Sequence, residues 1–273
     1  MGTLEGKVAY ITGVARGQGR SHAVKLAELG ADIVGIDLCE QLATVPYPMS
    51  TELDLKETQQ MIEALGRKAI LLKGDVRSRN DQQQAFDQAV DQLGHVDIAI
   101  ANAGVIIAGT NYADGQQVWD DALGIMLTGA WHTLQIAATH MQPRGSGNII
   151  MTSSVAGLKA FTDGGAGSDA YTAAKTAIVA LVKSYAAHLG PSGVRVNAVA
   201  PTGVNTKMVT ENPALFESIM SAPHLANAMQ NALPIEMIEP RDVSEVIAFL
   251  VSDEARTITG STVAVDAGSM ARP

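Results

Sequence analysis

The 273-residue chain carries 19 Lys and Arg against 28 Asp and Glu, a formal net charge of −9, with 47% hydrophobic residues and one cysteine. A chain of this length buries enough surface to stand without staples, and the lone Cys39 excludes an intramolecular disulfide, as suits a reducing compartment. The acidic balance argues against nucleic acid or an anionic membrane as partner, because both require clustered Lys and Arg.

The first residues hold no address: Gly6 stands where a myristoylation signal needs Ser or Thr, and no basic segment leads into an apolar one. The richest apolar stretch, 96–108, is broken by Asp97, Asn102 and Gly104 and is too short to span a bilayer. The expectation is a cytoplasmic protein with no membrane attachment.

In chain order, residues 8–11, 33–36, 69–72, 98–101, 149–151, 194–199 and 262–265 are short runs dense in branched residues with little period-two alternation. Strands buried on both faces read this way. Between them, 21–29, 54–65, 82–93, 118–141 and 170–189 place apolar residues at helical spacing. Strict alternation predicts α/β architecture: one Rossmann-type doubly wound parallel sheet of about seven strands, with helices on both faces. With no repeat, linker or low-complexity segment, residues 1–273 read as a single dinucleotide-binding domain. Two stretches depart from the alternation. Residues 39–51, with Pro46, Tyr47 and Pro48, suit an ordered loop. Residues 203–240 have the length of a functional lid. There Met208, Leu215, Phe216, Ile219, Met220, Leu225 and Met229 either line an apolar pocket or pack as a helical hairpin on the body.

Directly after the first strand comes Thr12-Gly13-Val14-Ala15-Arg16-Gly17-Gln18-Gly19, followed by a helix. Glycines at this spacing allow a tight turn and close approach to a pyrophosphate, which the helix N-terminal N–H groups then face. The strand before, the helix after and the acid about 20 residues on distinguish this from a chance glycine pattern. That acid, Asp37, ends the second strand, where a carboxylate accepts the adenosine ribose hydroxyls and repels a 2′-phosphate. The expected cofactor is NAD, with Arg16 as a counter-signal for NADP. Further along, Tyr171 and Lys175 lie four apart on one predicted helix and share a face. An ammonium about 5 Å from the phenol lowers its pKa by about two units at an effective dielectric near 20. The charge of an oxidised nicotinamide acts in the same direction, so Tyr171 becomes a general base toward a hydroxyl. The six histidines (His22, His95, His132, His140, His188, His224) show no metal-ligand spacing and read as surface or packing residues, so no metal is expected. Cys39 reads as a packing residue rather than a redox sensor.

These residues resemble the classical short-chain dehydrogenase/reductase family over nearly the whole chain. The resemblance implies catalytic Ser154, Tyr171 and Lys175, with Ser154 selected over Ser153 because it stands three residues before Gly157. It implies cofactor contacts from Gly13, Arg16, Gly17, Gln18, Gly19, Asp37 and Leu38. It adds Asp75 and Val76 at the adenine, the Asn102-Ala103-Gly104 turn, Pro201 and Val204 flanking the nicotinamide, and Thr206 at its carboxamide; Tyr171 and Lys175 also hold the cofactor. Thr202 stands where the family has Gly, and Met126 where it has an Asn that relays the proton from the lysine. A thioether cannot donate that hydrogen bond.

Finer signatures, Ala15 to Ala23, Asp37-Leu38-Cys39, Tyr47-Pro48 with Asp54-Leu55, and Pro201 to Met208, resemble the mycofactocin-coupled dehydrogenases, including carveol dehydrogenases. This implies a hydrophobic secondary alcohol or its ketone as substrate, and tightly held NAD re-oxidised by a redox partner, mycofactocin. The rivals are a 3-oxoacyl carrier-protein reductase using NADPH and a non-catalytic dinucleotide sensor. Leu127, Trp131, Leu134 and Ile136 on one long helix, and Ile178, Leu181, Val182 and Tyr185 on another, predict a second apolar stripe beyond the one facing the sheet. In the family such helices form an interface. A homotetramer is therefore expected, with a dimer as runner-up and the tail 267–273 near a neighbour's active site.

Overall fold

The computed structural model describes residues 2–109, 115–228 and 230–272. Seven strands form one parallel sheet: β1 (Val8–Thr12), β2 (Asp32–Asp37), β3 (Ala69–Lys73), β4 (Ile98–Ala101), β5 (Gly147–Thr152), β6 (Val194–Pro201) and β7 (Thr262–Val265). Their spatial order is β3-β2-β1-β4-β5-β6-β7. The order reverses between β1 and β4, which opens a crevice at the carboxyl ends of those strands. Every residue of β1 and β4 is buried, which is why neither run alternates.

Helix α1 (Gly17–Glu28) starts from the glycine turn without a side-chain cap, whereas α2 (Glu52–Ala64) and α3 (Arg79–Leu93) start where the chain offers caps. Thr51 and Asp54 form a reciprocal capping box on α2, and Ser78 accepts from the Asp81 N–H at the start of α3. Each of these helices begins two to four residues before the apolar periodicity does, because its first turn carries few of the apolar residues that mark the core face.

The stretch expected as one helix over 118–141 is three pieces: α4 (Gly115–Leu123), a π-helical turn (Gly124–Gly129) and α5 (Ala130–Arg144). Gly129 permits the wide turn to press on the neighbouring loop, since a Cβ there would stand 2.9 Å from Val76 Cβ. Helix α6 (Ala166–Leu189) packs beside it. After β6 come α7 (Lys207–Thr210), α8 (Pro213–Ser221) and α9 (Pro223–Ala228), then α10 (Pro240–Val251). Residues 39–51 form an ordered loop without helix, as expected, anchored by the buried Val45 and Tyr47.

The apolar residues of the two long helices divide between two faces, as expected. Leu134, Ile136, Ile178 and Val182 are at most 3% exposed and belong to the core between α5, α6 and the sheet. Only Trp131, 40% exposed, and the half-buried Leu127, Leu181 and Tyr185 remain on the outer face. Helical spacing alone does not reveal that both helices are buried on more than one side, by the sheet and by each other. Among the described residues, no helix is long and apolar enough to cross a membrane.

Candidate active site

The parallel register sets Thr12 opposite Ile36, so the turn after β1 and the end of β2 open side by side. Gly13 takes φ +69° and Gly17 φ +56°, a region open to glycine but costly for other residues. At Gly19 a Cβ would stand 1.9 Å from the Gly13 carbonyl oxygen. Only a glycine lets the first turn of α1 sit this close to the strand end. Asn102 ties the centre together: its amide donates to the carbonyls of Thr12 (3.0 Å) and Gly13 (3.3 Å), while Thr12 Oγ1 accepts from the N–H groups of Asn102 and Ala103.

A cavity of about 440 Å³ runs along this edge. Gly13, Arg16, Gly17, Gln18, Gly19, Asp37, Leu38, Asp75, Val76, Asn102, Ala103, Gly104 and Thr206 all line it. Asp37 is largely buried and already accepts hydrogen bonds, from the Ala15 N–H at 2.9 Å on one oxygen and from the Ser50 hydroxyl at 2.5 Å on the other. The oxygen bonded to Ser50 also accepts from the Cys39 N–H at 3.3 Å, so the one bonded to Ala15 is the oxygen that keeps a lone pair for a ligand. Arg16, the counter-signal for a 2′-phosphate, donates instead to the Pro48 carbonyl at 2.5 Å. Arg20, also on this wall, is engaged by Asp54 and Glu57. The loop 39–51 thus encloses the acidic end of the cavity with Tyr47, Met49 and Ser50, three lining residues that the glycine motif does not announce. Their signal was present only as a Pro-rich stretch too ordered for a linker. Burial and the Asp37 charge push the Cys39 thiol up to about 12, which fits packing rather than redox chemistry.

The residues present fit a dinucleotide. Three glycines leave the space a pyrophosphate needs, the N-terminus of α1 faces it, and the Gln18 side-chain oxygen is buried without a partner among the described residues.

A second cavity, about 90 Å³, continues from the first and is lined by Ser154, Tyr171, Lys175, Pro201 and Val204. Its walls are mostly apolar: Val105, Ile106, Val155, Phe161, Met208, Val209 and Leu215. Ser153 spends its hydroxyl on the Lys175 carbonyl at 2.8 Å. Ser154 makes a long contact to the Pro201 carbonyl, 3.5 Å, accepts from the Ala156 N–H, and hydrogen-bonds the Tyr171 side chain. Its hydroxyl, rather than that of Ser153, is the one placed to meet a ligand. Lys175 Nζ lies 5.6 Å from the centre of the Tyr171 ring and donates to the Thr152 carbonyl at 2.7 Å.

The electrostatics differ from the expectation of an ammonium-lowered phenol. Burial raises the Tyr171 pKa, opposed by the Ser154 hydroxyl, and burial lowers Lys175 to about 8. Desolvation penalises both charged forms, and in the protein alone it outweighs their mutual attraction. Met126 contributes to this apolar setting: a Cβ on Gly104 would stand 3.7 Å from both Met126 Cγ and Lys175 Nζ.

Of the apolar residues expected over the pocket, Met208 and Leu215 line it. Leu225 is buried and Ile219 half-buried, but neither reaches the cavity; Phe216 and Met220 point outward and are exposed. Met229 lies outside the described residues. Phe161 and Val209 are not among the residues expected there; Phe161 lies between a strand and a helix, in a loop with no strand or helical periodicity to mark it. Of the histidines, His22 and His132 are buried. Among the described residues, no group of three His, Cys, Asp or Glu is placed to hold a metal.

Comparison with known proteins places this geometry. A family profile described as enoyl-(acyl carrier protein) reductase matches residues 13–270. The chain is 42% identical to (-)-trans-carveol dehydrogenase of Rhodococcus erythropolis, over 98% of this chain and 99% of that one. It superposes on the crystal structure of carveol dehydrogenase from Mycobacterium avium in complex with NAD with a TM-score of 0.91 and 40% identity, covering 100% of both chains. A short-chain dehydrogenase from Mycobacterium paratuberculosis bound to NAD gives 0.93 and 37%, covering 99% and 100%. Sheet order, glycine turn and these full-length likenesses agree: the chain belongs to the short-chain dehydrogenase/reductase family.

Proposed function

We propose that this oxidoreductase is an NAD-dependent dehydrogenase that interconverts a hydrophobic, carveol-like secondary alcohol and its ketone. The observation that carries the reading is the joining of two cavities: a glycine-cradled cleft ending at Asp37 opens into an apolar chamber that holds Ser154, Tyr171 and Lys175. Held in the cleft by these residues, NAD would supply the hydride acceptor for the carbinol carbon. The chain supplies everything else. Ser154 Oγ hydrogen-bonds the substrate oxygen and Tyr171 Oη takes its proton, while Lys175 holds the nicotinamide ribose and stabilises the phenolate that must form. Asp37 and Leu38 hold the adenosine ribose, Asp75 and Val76 flank the adenine, the turn 13–19 with Gln18 takes the pyrophosphate, and Thr206 with Pro201 and Val204 positions the carboxamide.

Among the described residues, Lys175 is the one charged side chain that lines the chamber. That suits a neutral, apolar substrate, since an unpaired charge on the ligand would be buried at high cost. The same carboxylate at Asp37, with Arg16 and Arg20 committed elsewhere, disfavours an NADPH-dependent 3-oxoacyl reductase. A pure sensor would not need Ser154, Tyr171 and Lys175 together. The segment 203–240 serves as the lid. We place the enzyme in the cytoplasm, as a homotetramer, with mycofactocin as the redox partner that re-oxidises bound NADH.

The test is direct. Purified protein is mixed with NAD and a series of cyclic secondary alcohols, and reduced nicotinamide is followed by absorbance. Turnover with NAD well above that with NADP is expected, rising with substrate hydrophobicity. Activity only with NADPH and 3-oxoacyl thioesters would overturn the assignment.

A further inference from the structure

We propose that Asp163 is a positioning residue that clasps the helical lid onto the body and thereby shapes the Phe161–Tyr171 wall of the substrate cavity. The inference rests on the reading of that cavity as an alcohol site.

The carboxylate of Asp163 gathers four donors from three separate segments. One oxygen accepts from the Gly165 N–H at 2.8 Å and from the Ser168 hydroxyl, both at the start of α6. The other accepts from Ser218 Oγ on the lid helix α8 at 2.5 Å, and from the Gly109 N–H on the loop after β4 at 3.5 Å. Burial by itself would raise this carboxyl, but the bonds from Ser168, Ser218, Gly165 and Gly109 outweigh it and hold the group below its usual range. A carboxylate so placed is stable only while those donors stay.

Two further contacts run the same way. His224 on α9 donates to the Thr162 carbonyl at 2.7 Å. Asn212, fully buried at the start of α8, donates to the Ile106 carbonyl at 3.2 Å and accepts from the Leu215 N–H. These links from α8 and α9 therefore land on Thr162, Asp163 and Ile106, and the two segments that hold those residues line the chamber through Phe161 and Ile106. Phe161 is fixed in turn from the other side: its carbonyl accepts from Thr172 Oγ1, next to Tyr171, and its ring stands 6.3 Å from the Tyr171 ring at 52°. Releasing Ser218 from Asp163 would loosen Leu215 and Phe161 together, and leave the glycine turn and Asp37 untouched.

The experiment uses the full chain with Ser218→Ala, Asp163→Asn and, as the conservative control, Ser218→Thr. Hydrogen exchange of amides 207–228 reads the clasp without any substrate. Exchange about tenfold faster or more, confined to that segment, is expected in the first two variants and near wild-type exchange in the third. Kinetics with a secondary alcohol read the consequence: KM rises about three- to tenfold with kcat within about twofold, and NAD affinity by fluorescence titration is unchanged. Unaltered exchange in Ser218→Ala and Asp163→Asn overturns the clasp whatever the activity. Faster exchange with unchanged KM, or a general loss of stability that Ser218→Thr does not repair, overturns its positioning role. A wild-type protein that oxidises no secondary alcohol, yet whose lid loosens as described, sinks the functional reading and leaves the clasp standing.

Discussion

At the scale of single residues, the chemistry depends on a phenol that the protein alone makes less acidic. Burial raises Tyr171 and draws Lys175 down to about 8. A base whose pKa is raised is scarce at neutral pH, so alcohol oxidation should increase with pH through the alkaline range, while ketone reduction, which needs the protonated phenol, should stay nearly level until the pH approaches that raised pKa. Tyr171→Phe should lower turnover at least about a hundredfold and abolish that pH dependence, with little change in cofactor affinity; a variant that keeps most of its turnover shows another group to be the base. Asp37 is a second lever. Its removal deletes charge-assisted hydrogen bonds worth roughly 1.5 to 3 kcal/mol each, so Asp37→Ala should weaken NAD at least about tenfold and improve NADP. If a titration of both nucleotides finds the preference unchanged, the selectivity lies elsewhere, with Arg16 the first suspect. These residues were legible because each is tied to a motif of fixed spacing. Ser50 and Pro48 were not, because they act on Asp37 and Arg16 through a loop whose path no local pattern encodes.

At the scale of elements, the seven strands and the first three helices could be read from buried runs and helical periodicity, since each faces the core in the ordinary way. The π-helical turn over Gly124–Gly129 could not, because a widened turn leaves the apolar spacing almost unaltered. Nor could helical spacing say which residues form which stripe: Leu134, Ile136, Ile178 and Val182 make the buried one, and Trp131, Leu127, Leu181 and Tyr185 the outer one. The turn from β1 into α1 has the sharpest consequence. Because a Cβ on Gly19 would overlap the Gly13 carbonyl at 1.9 Å, Gly19→Ala must push the first turn of α1 away from the strand. The variant should lose measurable NAD binding and drop several degrees in Tm, a cost of about 1 to 3 kcal/mol for overpacking. An alanine variant that binds NAD as the wild type does would mean that the turn does not form the cradle.

At the scale of the whole molecule, acid stability and assembly follow from what is buried and what is left bare. His22, on α1, is fully buried against α10, with one ring nitrogen 2.8 Å from Ser244 Oγ and the other without a partner among the described residues. Burial lowers its pKa to about 3. The folded state therefore holds it neutral while the unfolded chain protonates it near 6.5, and stability is lost as pH falls from about 6.5 toward 3. The loss is roughly 3 kcal/mol by pH 4. Urea midpoints should fall over that window, and His22→Gln should flatten the fall; equal losses in both proteins would place the acid sensitivity in other groups. For assembly, the outer face of the long helices keeps Trp131, Leu127, Leu181 and Tyr185, with Gln135 and Tyr185 hydrogen-bonded across the two helices. That patch is narrower than the sequence suggested, but it is still apolar at its centre, and an exposed tryptophan there is costly to leave in water. At the far end of the sheet, β7 is an edge strand with an open ladder, and Phe249 on the adjacent α10 is 47% exposed. Were the helix face and the β7 edge each self-complementary, the chain would close into the proposed tetramer with two-fold axes, whereas the helix face alone would give a dimer. Light scattering at micromolar concentration should return a mass near four times 28.5 kDa. Trp131→Glu should reduce it to half by placing like charges across the helix interface while the β7 contact holds; a wild-type mass near that of one chain would remove the interface role of both surfaces.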